Sequence, residues 1–404
     1  MKKVFLAAAI IPAAMLFASC SNAQSGESAA SSSERPDPAE GQIVGGTPVE
    51  LPEQAPFSVA SHGTFDEPWA IAVHPQDGRL FITEKAGTMK FYDPASGRTG
   101  IVTGLPEVAY GGQGGLGDIA FAPDFAQSGM VYLSWAAGAD GNARKAVAGR
   151  GRLVCDAVDA CQIEGLEQIW EQSPPIESAG HFSHKLAFSP DGRYLFISSG
   201  ERMQGEPAQD LSNNLGSVVR LLPDGSPAPG NPFADRSSPT DQIWTYGQRN
   251  ILGLQFDGSG ELWGLEHGPR GGDELNHLQP GNNYGWPERS NGINYDGSDI
   301  PDHSADDGFT KPAISWTPVI APGDFIFYNG EMWPDWQGQA LIANMGTTSM
   351  SRVAIADDDA SAIEEARYAF PARLRDIAEG PDGSLWLIED GADGRLLRSV
   401  PAGS

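Results

Sequence analysis

One histidine and one cation–amide pair have the residue types needed for proton transfer and for charge stabilisation at a small ligand. His181 directly precedes an apolar stretch typical of a strand, and a neutral imidazole there can take a proton from a hydroxyl near neutral pH. Arg249 and Asn250 also precede a predicted strand, and such a pair can hold an oxyanion or a quinone carbonyl. Both features have ordinary alternatives, because isolated histidines are usually structural and an Arg-Asn pair can simply brace a strand.

A run of glycines and acidic residues predicts a site for a hard cation. Residues 266–276 read EHGPRGGDELN and are continued by NYGWP at residues 283–287. The Gly268-Pro269 turn can direct carbonyl oxygens at a cation, while Asp273 and Glu274 supply carboxylates, and calcium binds such oxygen sets. The spacing is not that of an EF-hand. An acidic loop with tight turns is the alternative.

Two further segments could contact a ligand. Residues 111–116 contain too many glycines for a strand, so the backbone must bend closely around something, and Gln113 offers both donor and acceptor atoms. Arg373 and Arg375 lie on one face of a predicted strand, an arrangement that suits a ligand with several carboxylates. An ordinary loop and a surface arginine pair are the corresponding alternatives.

A repeated hairpin must position these residues. An apolar strand, a Pro-Asp-Gly type of turn and a second strand recur at residues 71–82, 186–197 and 377–388, with variants at 119–133, 254–265 and 325–342. A lone hairpin is marginally stable, so stacking around an axis is the way to bury its faces. With 50 Gly and 31 Pro, the composition favours an all-β chain. We therefore predict a six-bladed β-propeller over residues 51–404.

The N-terminus predicts export. Residues 1–20 read as a lipoprotein-type signal peptide, with a lipobox-like sequence ending at Cys20 as the lipidation site. Residues 21–50 read as a flexible tether. We expect a periplasmic or outer-membrane lipoprotein that meets the membrane only through this anchor; cleavage after Ala23 is the alternative. Cys155 and Cys161 then remain as an even pair, predicted to form a disulfide, with two free thiols as the alternative.

The charge excludes one class of partner. With 26 basic and 53 acidic residues, the formal net charge is -27, and no basic surface could offset repulsion by phosphates. We therefore expect no nucleic-acid partner.

Taken in order, the motifs resemble those of the PQQ-dependent aldose sugar dehydrogenases, relatives of soluble quinoprotein glucose dehydrogenase. The matching segments cover nearly all of the chain after the tether: GQGGL at 112–116, HFSHKLAF at 181–188, AQDLSNNLG at 208–216, GQRN at 247–250, EHGPRGGDELN at 266–276, NYGWP at 283–287, IAP at 320–322 and RLRD at 373–376.

The resemblance implies oxidation of an aldose, either a monosaccharide or an oligosaccharide, at C1 to the lactone, with PQQ and Ca²⁺ as cofactors and a separate electron acceptor. It assigns roles residue by residue: His181 as general base, Arg249 as the group that stabilises charge on the quinone, Gln113 facing the sugar, Asn250, Arg373 and Arg375 contacting PQQ, the carbonyls of Gly268 and Pro269 on one calcium ion, and Glu274 with the Tyr284 carbonyl on a second.

The chain departs from the family at several positions. Gln248 stands where histidine is common, Ile251-Leu252 replaces Pro-Gln, Val319 replaces a small hydroxyl residue, and residues 344–346 lack the usual lysine. Two other functions fit a propeller with calcium sites: a calcium-dependent sugar lactonase, and a non-catalytic propeller that binds glycan or protein.

Overall fold

The described part of the chain is almost entirely strand and turn. The structure is a computed structural model that describes residues 46–357 and 361–403. Helix within these ranges is limited to α1 (Phe125–Ser128) and to 3-10 turns at Glu206–Gln209, Thr240–Gln242 and Pro334–Trp336. The prediction of an all-β chain is confirmed.

The strands follow one another in groups that pair mostly as antiparallel neighbours. The chain starts with β1 (Thr47–Val49) and β2 (Phe57–Phe65). Two groups follow: β3 (Pro68–Val73), β4 (Leu80–Glu84), β5 (Thr88–Asp93) and β6 (Arg98–Thr103), then β7 (Leu116–Phe121), β8 (Met130–Gly138), β9 (Arg144–Val154) and β10 (Ala160–Glu171). The next group is β11 (Ser183–Phe188), β12 (Leu195–Ser199), β13 (Ser217–Leu221) and β14 (Ile243–Tyr246).

The second half of the chain continues the pattern. Its first group contains β15 (Ile251–Phe256), β16 (Leu262–Glu266), β17 (Arg270–Gly271), β18 (Asp273–His277), β19 (Gly292–Ile293) and β20 (Ile314–Trp316). Here β15, β16, β18 and β20 form the sheet, and β17 pairs with β19. The last strands are β21 (Pro322–Phe327), β22 (Ala340–Asn344), β23 (Ser349–Ile355) and β24 (Ala362–Ala369), then β25 (Leu374–Glu379), β26 (Leu385–Glu389) and β27 (Gly394–Pro401).

The first strands of the groups contact one another in a ring. In order these are β3, β7, β11, β15, β21 and β25, and β25 contacts β3 again. The ring is closed by the two ends of the described chain, because β2 pairs with β27 and so completes the sheet that contains β25 and β26. A short parallel pairing of β6 with β10 joins two neighbouring groups into one sheet.

The six predicted repeats are confirmed as hairpins. Each one forms the first two strands of a group, in the pairs β3–β4, β7–β8, β11–β12, β15–β16, β21–β22 and β25–β26. Gly78, Gly192 and Gly383 close the three clearest turns with φ of 74°, 70° and 81°. Glycine adopts this left-handed conformation without the steric cost that a Cβ atom would add, which explains why the Asp-Gly turn recurs.

A buried charged cluster lies where the inner strands meet. The Lys185 ammonium on β11 lies 2.8 Å from Asp118 on β7 and 2.5 Å from Asp324 on β21, with Asp376 on β25 at 3.9 Å. Burial lowers the pKa of Lys185, but the three carboxylates together raise it above its ordinary value. The cluster therefore ties four groups of strands together at the centre of the ring.

The first strand begins before residue 51, where the sequence places the start of the propeller. Residues 47–49, at the end of the segment predicted as a tether, form β1 and pair with residues 59–61 of β2. The predicted signal peptide, Cys20 and the rest of the tether up to residue 45 lie outside the described residues. No helix among the described residues is long and apolar enough to cross a membrane.

Cys155 and Cys161 form a disulfide that joins the end of β9 to β10. Replacing both with serine should lower the free energy of unfolding by about 2 kcal/mol, because a short covalent loop no longer restricts the unfolded chain. Denaturant titration of the two proteins measures the difference. The reduced wild type should match the variant and the variant should not respond to reductant; equal unfolding midpoints for all samples would contradict the prediction.

Candidate active site

A cavity of about 200 Å³ opens at one end of the ring. Its wall is built by residues from all six groups, most of them at the start of an inner strand or in the loop before it: Trp69, Lys85, Gly112, Gln113, Phe182, Ser183, His184, Asn250, Leu252, His267, Met345, Arg373 and Arg375. Four residues predicted from the sequence, Gln113, Asn250, Arg373 and Arg375, are among them. The ring thus brings together segments that are distant in the chain.

His181 lies beside this cavity in a fixed orientation. Its Nδ1 is hydrogen-bonded to the carboxylate of Glu201, and its backbone N–H donates to Gln113 Oε1 at 2.6 Å. A carboxylate only accepts hydrogen bonds, so Nδ1 carries the proton and Nε2 keeps a free lone pair. No described residue donates to Nε2. This is the tautomer that a general base requires.

The electrostatics keep His181 neutral. Burial is the main cause that lowers its pKa below the ordinary 6.5, and the nearby Arg249 charge acts in the same direction, against the opposite effect of Glu201. Burial raises the pKa of Glu201, but its bonds from His181 and from the Gly205 N–H lower it overall. At neutral pH the pair is therefore an uncharged imidazole held by a carboxylate.

The backbone around His181 is held in an uncommon conformation. His181, Ser183 and His184 have φ of 48°, 57° and 58°, a region that costs about 1 kcal/mol for each residue with a Cβ atom. Asn250 Oδ1 accepts from both the N–H and the hydroxyl of Ser183 at 3.2 Å. The His184 ring stacks on Trp69 at 5.0 Å. These contacts stabilise the strained turn and fix the position of the imidazole.

A buried arginine supports the same loop from behind. Arg202 donates to the carbonyls of Gly180, Ser178 and Arg144 at 2.9, 2.5 and 2.7 Å. Its guanidinium also lies 3.6 Å from the centre of the Phe182 ring. Glu201 and Arg202 are adjacent in the chain, so one short segment after β12 holds both the imidazole and its loop.

Arg249 and Asn250 share a carboxylate below the cavity. Their backbone N–H groups donate to Glu266 Oε2 at 2.7 and 3.3 Å. The Arg249 side chain donates to the His267 carbonyl at 3.1 Å, and its buried Nε has no partner. The amide nitrogen of Asn250 has none among the described residues either. Asn250 lines the cavity and so retains a donor that a ligand there can use, whereas Arg249 lines the neighbouring smaller cavity.

Arg373 and Arg375 point into the cavity from either side of one acid. Their Nε atoms donate to the two oxygens of Asp390 at 2.8 and 2.9 Å. Since one carboxylate is shared by two guanidiniums, this part of the wall carries a net positive charge. It is suited to bind an anionic ligand.

The Gly268-Pro269 turn is braced from below. Asp273 accepts from the Gly268 N–H at 2.8 Å and from the Ala321 N–H at 2.6 Å, which occupies both of its oxygens. Asp273 thus supports the turn from below, and its role as a ligand of a cation stays a prediction. The carbonyls of Gly268 and Pro269 accept no hydrogen bond from any described residue, so they remain available to a cation.

Glu274 lies in a second, smaller cavity behind the turn. It is directly opposite Glu266 across β16 and β18, and both carboxylates are buried. Burial raises the pKa of Glu266 to about 7, and burial together with the Glu266 charge raises the pKa of Glu274. The Asn276 amide donates to both acids, at 3.0 and 3.4 Å. Neither carboxylate is paired with a described lysine or arginine.

Tyr284 lies in the same small cavity as Glu274. Its carbonyl accepts no hydrogen bond from the described residues. Among those residues no three His, Cys, Asp or Glu side chains converge as a metal site, so any ion here would depend on backbone carbonyls as well as carboxylates. Cys155 and Cys161 lie outside both cavities.

Two of the positions that depart from the family, Leu252 and Met345, line the apolar part of the cavity. Leu252 and Met345 pack with Trp69 against its floor. Val319 lines a neighbouring groove, and Gln248 donates to Thr245 at 2.8 Å. At Leu252 the floor offers contact area rather than hydrogen bonds, whereas the Met345 sulfur accepts from Arg373 at 3.5 Å.

A family comparison identifies the same region. The Glucose / Sorbosone dehydrogenase family profile matches residues 65–398, a range that contains every cavity residue named above. This chain belongs to the glucose/sorbosone dehydrogenase family.

Relatives and solved structures of this family agree with the assignment. The aldose sugar dehydrogenase YliI of Escherichia coli (strain K12) is 37% identical over 342 residues, which cover 83% of this chain and 90% of the relative. The apo form of the soluble aldose sugar dehydrogenase from Escherichia coli superposes with a TM-score of 0.79, at 34% identity, and covers 85% of this chain and 99% of that one. The PQQ-bound aldose sugar dehydrogenase of Streptomyces coelicolor has a TM-score of 0.68, at 27% identity, and covers 87% of this chain and 99% of that one.

Glu201 and Glu266 are the site residues that sequence reasoning missed as functional groups. Glu201 follows β12 in an SSGE segment with no recognisable motif, and Glu266 is one acid within the run predicted to bind calcium. One feature of the sequence indicates that Glu201 lies near His181: Glu201 follows β12, and β12 pairs with β11, the strand that begins just after His181.

Proposed function

We propose that this chain oxidises aldose sugars at C1 to the corresponding lactones, with PQQ as electron acceptor and calcium as a second cofactor. The observation that carries the proposal is the His181–Glu201 pair beside a cavity with unsatisfied cationic and amide donors. The names of the Escherichia coli and Streptomyces coelicolor relatives support the substrate class, and the latter supports the cofactor.

His181 takes the proton of the anomeric hydroxyl. Its Nε2 is the free basic atom, and Glu201 stabilises the imidazolium that forms when this atom is protonated. Gln113 holds the His181 backbone through Oε1 and turns its amide nitrogen, which has no described partner, to the sugar. The two side chains bind and orient the reacting end of the substrate.

The cavity wall fits a planar quinone that carries several carboxylates. Arg373 and Arg375 would bind carboxylates, while Asn250 and Arg249 would donate to the quinone oxygens through their unpaired nitrogen atoms. PQQ, when bound, supplies the two-electron acceptor for the hydride that leaves C1. Trp69 and Leu252 exclude water from one side of this space.

The oxygen atoms without donors fit calcium. The carbonyls of Gly268 and Pro269 would hold one ion next to His267, a residue of the cavity wall. Glu274 and the Tyr284 carbonyl, with Glu266 opposite, would hold the second. Calcium accepts such mixed carboxylate and carbonyl sets, and the first ion would act as a Lewis acid.

We further propose that the six groups of strands are the blades of a β-propeller with the site at one end of its axis. Closure through β2 and β27 and the ring of inner strands support this architecture. From the sequence we propose export as a lipoprotein anchored at Cys20, with a separate acceptor that reoxidises the cofactor.

The proposal is tested by dye-linked aldose oxidation with purified protein that lacks residues 1–20. Saturable turnover that depends on PQQ and calcium is expected. Lactone hydrolysis without PQQ, or glycan binding with no oxidation, would replace this function by one of the two alternatives.

Glu201→Gln should lower kcat by about tenfold to a hundredfold, because the neutral amide no longer stabilises the imidazolium. The wild-type pH profile should lose activity on the acid side only below pH 6.5, as His181 becomes protonated at its lowered pKa. Removal of the carboxylate should move this limb to still lower pH. Kinetics between pH 4 and 9 measure both effects.

Glu206→Gln is the matched control, since this glutamate is exposed on the same segment. It should leave kcat and the profile unchanged. An acid limb at the same pH in the Glu201 variant and in the wild type would show that Glu201 does not act through His181.

A further inference from the structure

A third cationic side chain reaches the wall of the cavity. Lys85 follows β4 and lines the same space as Arg373 and Arg375. The arginines share Asp390, whereas the Lys85 ammonium lies 3.4 Å from Glu67 and is 20% exposed. Of the three cationic side chains that line the cavity, Lys85 has the longest distance to its carboxylate partner.

The backbone of Lys85 is held by hydrogen bonds at both its N–H and its carbonyl. Its N–H donates to the Glu67 carbonyl at 3.0 Å, and its carbonyl accepts from the Leu116 N–H at 3.0 Å. Gly115 passes so close that a Cβ atom there would lie 2.0 Å from the Lys85 carbonyl oxygen. The glycines of the GQGGL loop thus allow the backbone of Lys85 to reach the cavity, while its ammonium contacts Glu67 and lies 5.7 Å from the centre of the Tyr110 ring.

The acid beside Lys85 has a second partner. The Tyr110 hydroxyl donates to Glu67 Oε2 at 2.5 Å. Glu67 therefore remains hydrogen-bonded when the ammonium turns to a ligand, and the cost of breaking an ion pair this long and partly exposed is small.

Lys85 and the arginine pair belong to neighbouring groups. The β3–β6 group contacts the group of β25, which carries Arg375, through β3 and β25. On the far side of the arginines the wall is supplied by Met345, whose sulfur accepts from Arg373 at 3.5 Å. The positive charge of the wall thus extends from the arginines to Lys85 and not to Met345.

We propose that Lys85 binds one carboxylate of PQQ and so is a cofactor-binding residue, together with Arg373 and Arg375. The inference rests on the proposed function, because PQQ is the tricarboxylate that three such cations match. A flexible ammonium can follow a carboxylate that the rigid guanidinium forks do not reach.

The test is a titration of the purified apoprotein with PQQ in calcium buffer, followed by quenching of tryptophan fluorescence. Lys85→Gln should weaken binding by about tenfold, the loss expected for one charge-assisted hydrogen bond. Lys85→Arg should keep nearly wild-type affinity. Lys145→Gln is the control, since it removes one positive charge from a surface pair with Glu171.

The outcomes separate two failures. If the wild type binds PQQ and Lys85→Gln binds it within twofold, the Lys85 proposal is wrong and the proposed function stands. If the wild type binds no PQQ, both are overturned. A melting temperature equal to that of the wild type establishes that a Lys85 variant with weaker PQQ binding is folded. An equal loss of PQQ affinity in the Lys145 variant would also overturn the role of Lys85 in PQQ binding.

Discussion

His181→Gln should reduce the kcat of sugar oxidation by about a thousandfold while PQQ still binds within about twofold of the wild-type affinity. The base acts on the sugar hydroxyl, whereas the cofactor is expected to contact Asn250, Arg373 and Arg375. The glutamine amide can keep a hydrogen bond to Glu201 but has no basic atom in place of Nε2. Dye-linked kinetics and a PQQ titration on the same preparation measure the two quantities.

His62→Gln is the matched control. His62 is on β2, bonds to the Tyr92 hydroxyl and lies outside the cavity. It should leave both quantities unchanged. A His181 variant that loses PQQ binding in proportion to its activity would show that the imidazole holds the cofactor and is not the base.

Removal of calcium should lower the melting temperature by about 5 °C and abolish oxidation. The stability effect follows from mass action, since an ion at a thousand times its Kd contributes about 4 kcal/mol to the folded state alone. The structural reason is the pair Glu266 and Glu274, two buried carboxylates in direct register with which no described lysine or arginine forms an ion pair. Thermal unfolding and activity assays after chelation, with calcium added back, measure the effect.

Glu274→Gln divides the calcium effect between the two proposed ions. It should remove most of the thermal response to calcium, while oxidation still requires calcium at the Gly268-Pro269 turn. Glu261→Gln on the same group of strands, an exposed partner of His277, should retain the full response. If chelation changes neither melting temperature nor activity, neither ion is bound.

The hairpins and the cavity residues that enter inner strands could be predicted from the sequence because their determinants are local. In the Pro-Asp-Gly turn at residues 190–192, Gly192 adopts the positive φ that the turn needs. The turn joins two strands that are adjacent in the chain and that pair with each other. Arg373 directly precedes β25 and Arg375 lies within it, and both line the cavity as the sequence predicts. Such patterns need no knowledge of the rest of the fold.

Other parts of the site depend on contacts between distant segments. Glu201 meets His181 only because β11 and β12 pair and the chain then bends, and no pattern near residue 201 indicates this. Lys85 reaches the cavity from a hairpin turn that resembles an ordinary exposed turn. The central ion cluster around Lys185 likewise joins aspartates from three other groups of strands.

The pairing of β2 with β27 has a consequence for truncated forms of this protein. The strand that fastens the ring is the last one in the chain, at residues 394–401, yet the cavity is lined by all six groups. A chain without β27 has no partner for β2 and cannot close the ring around the cavity. We therefore expect truncation before residue 394 to remove cofactor binding together with the closed ring, rather than to leave a smaller protein that still binds.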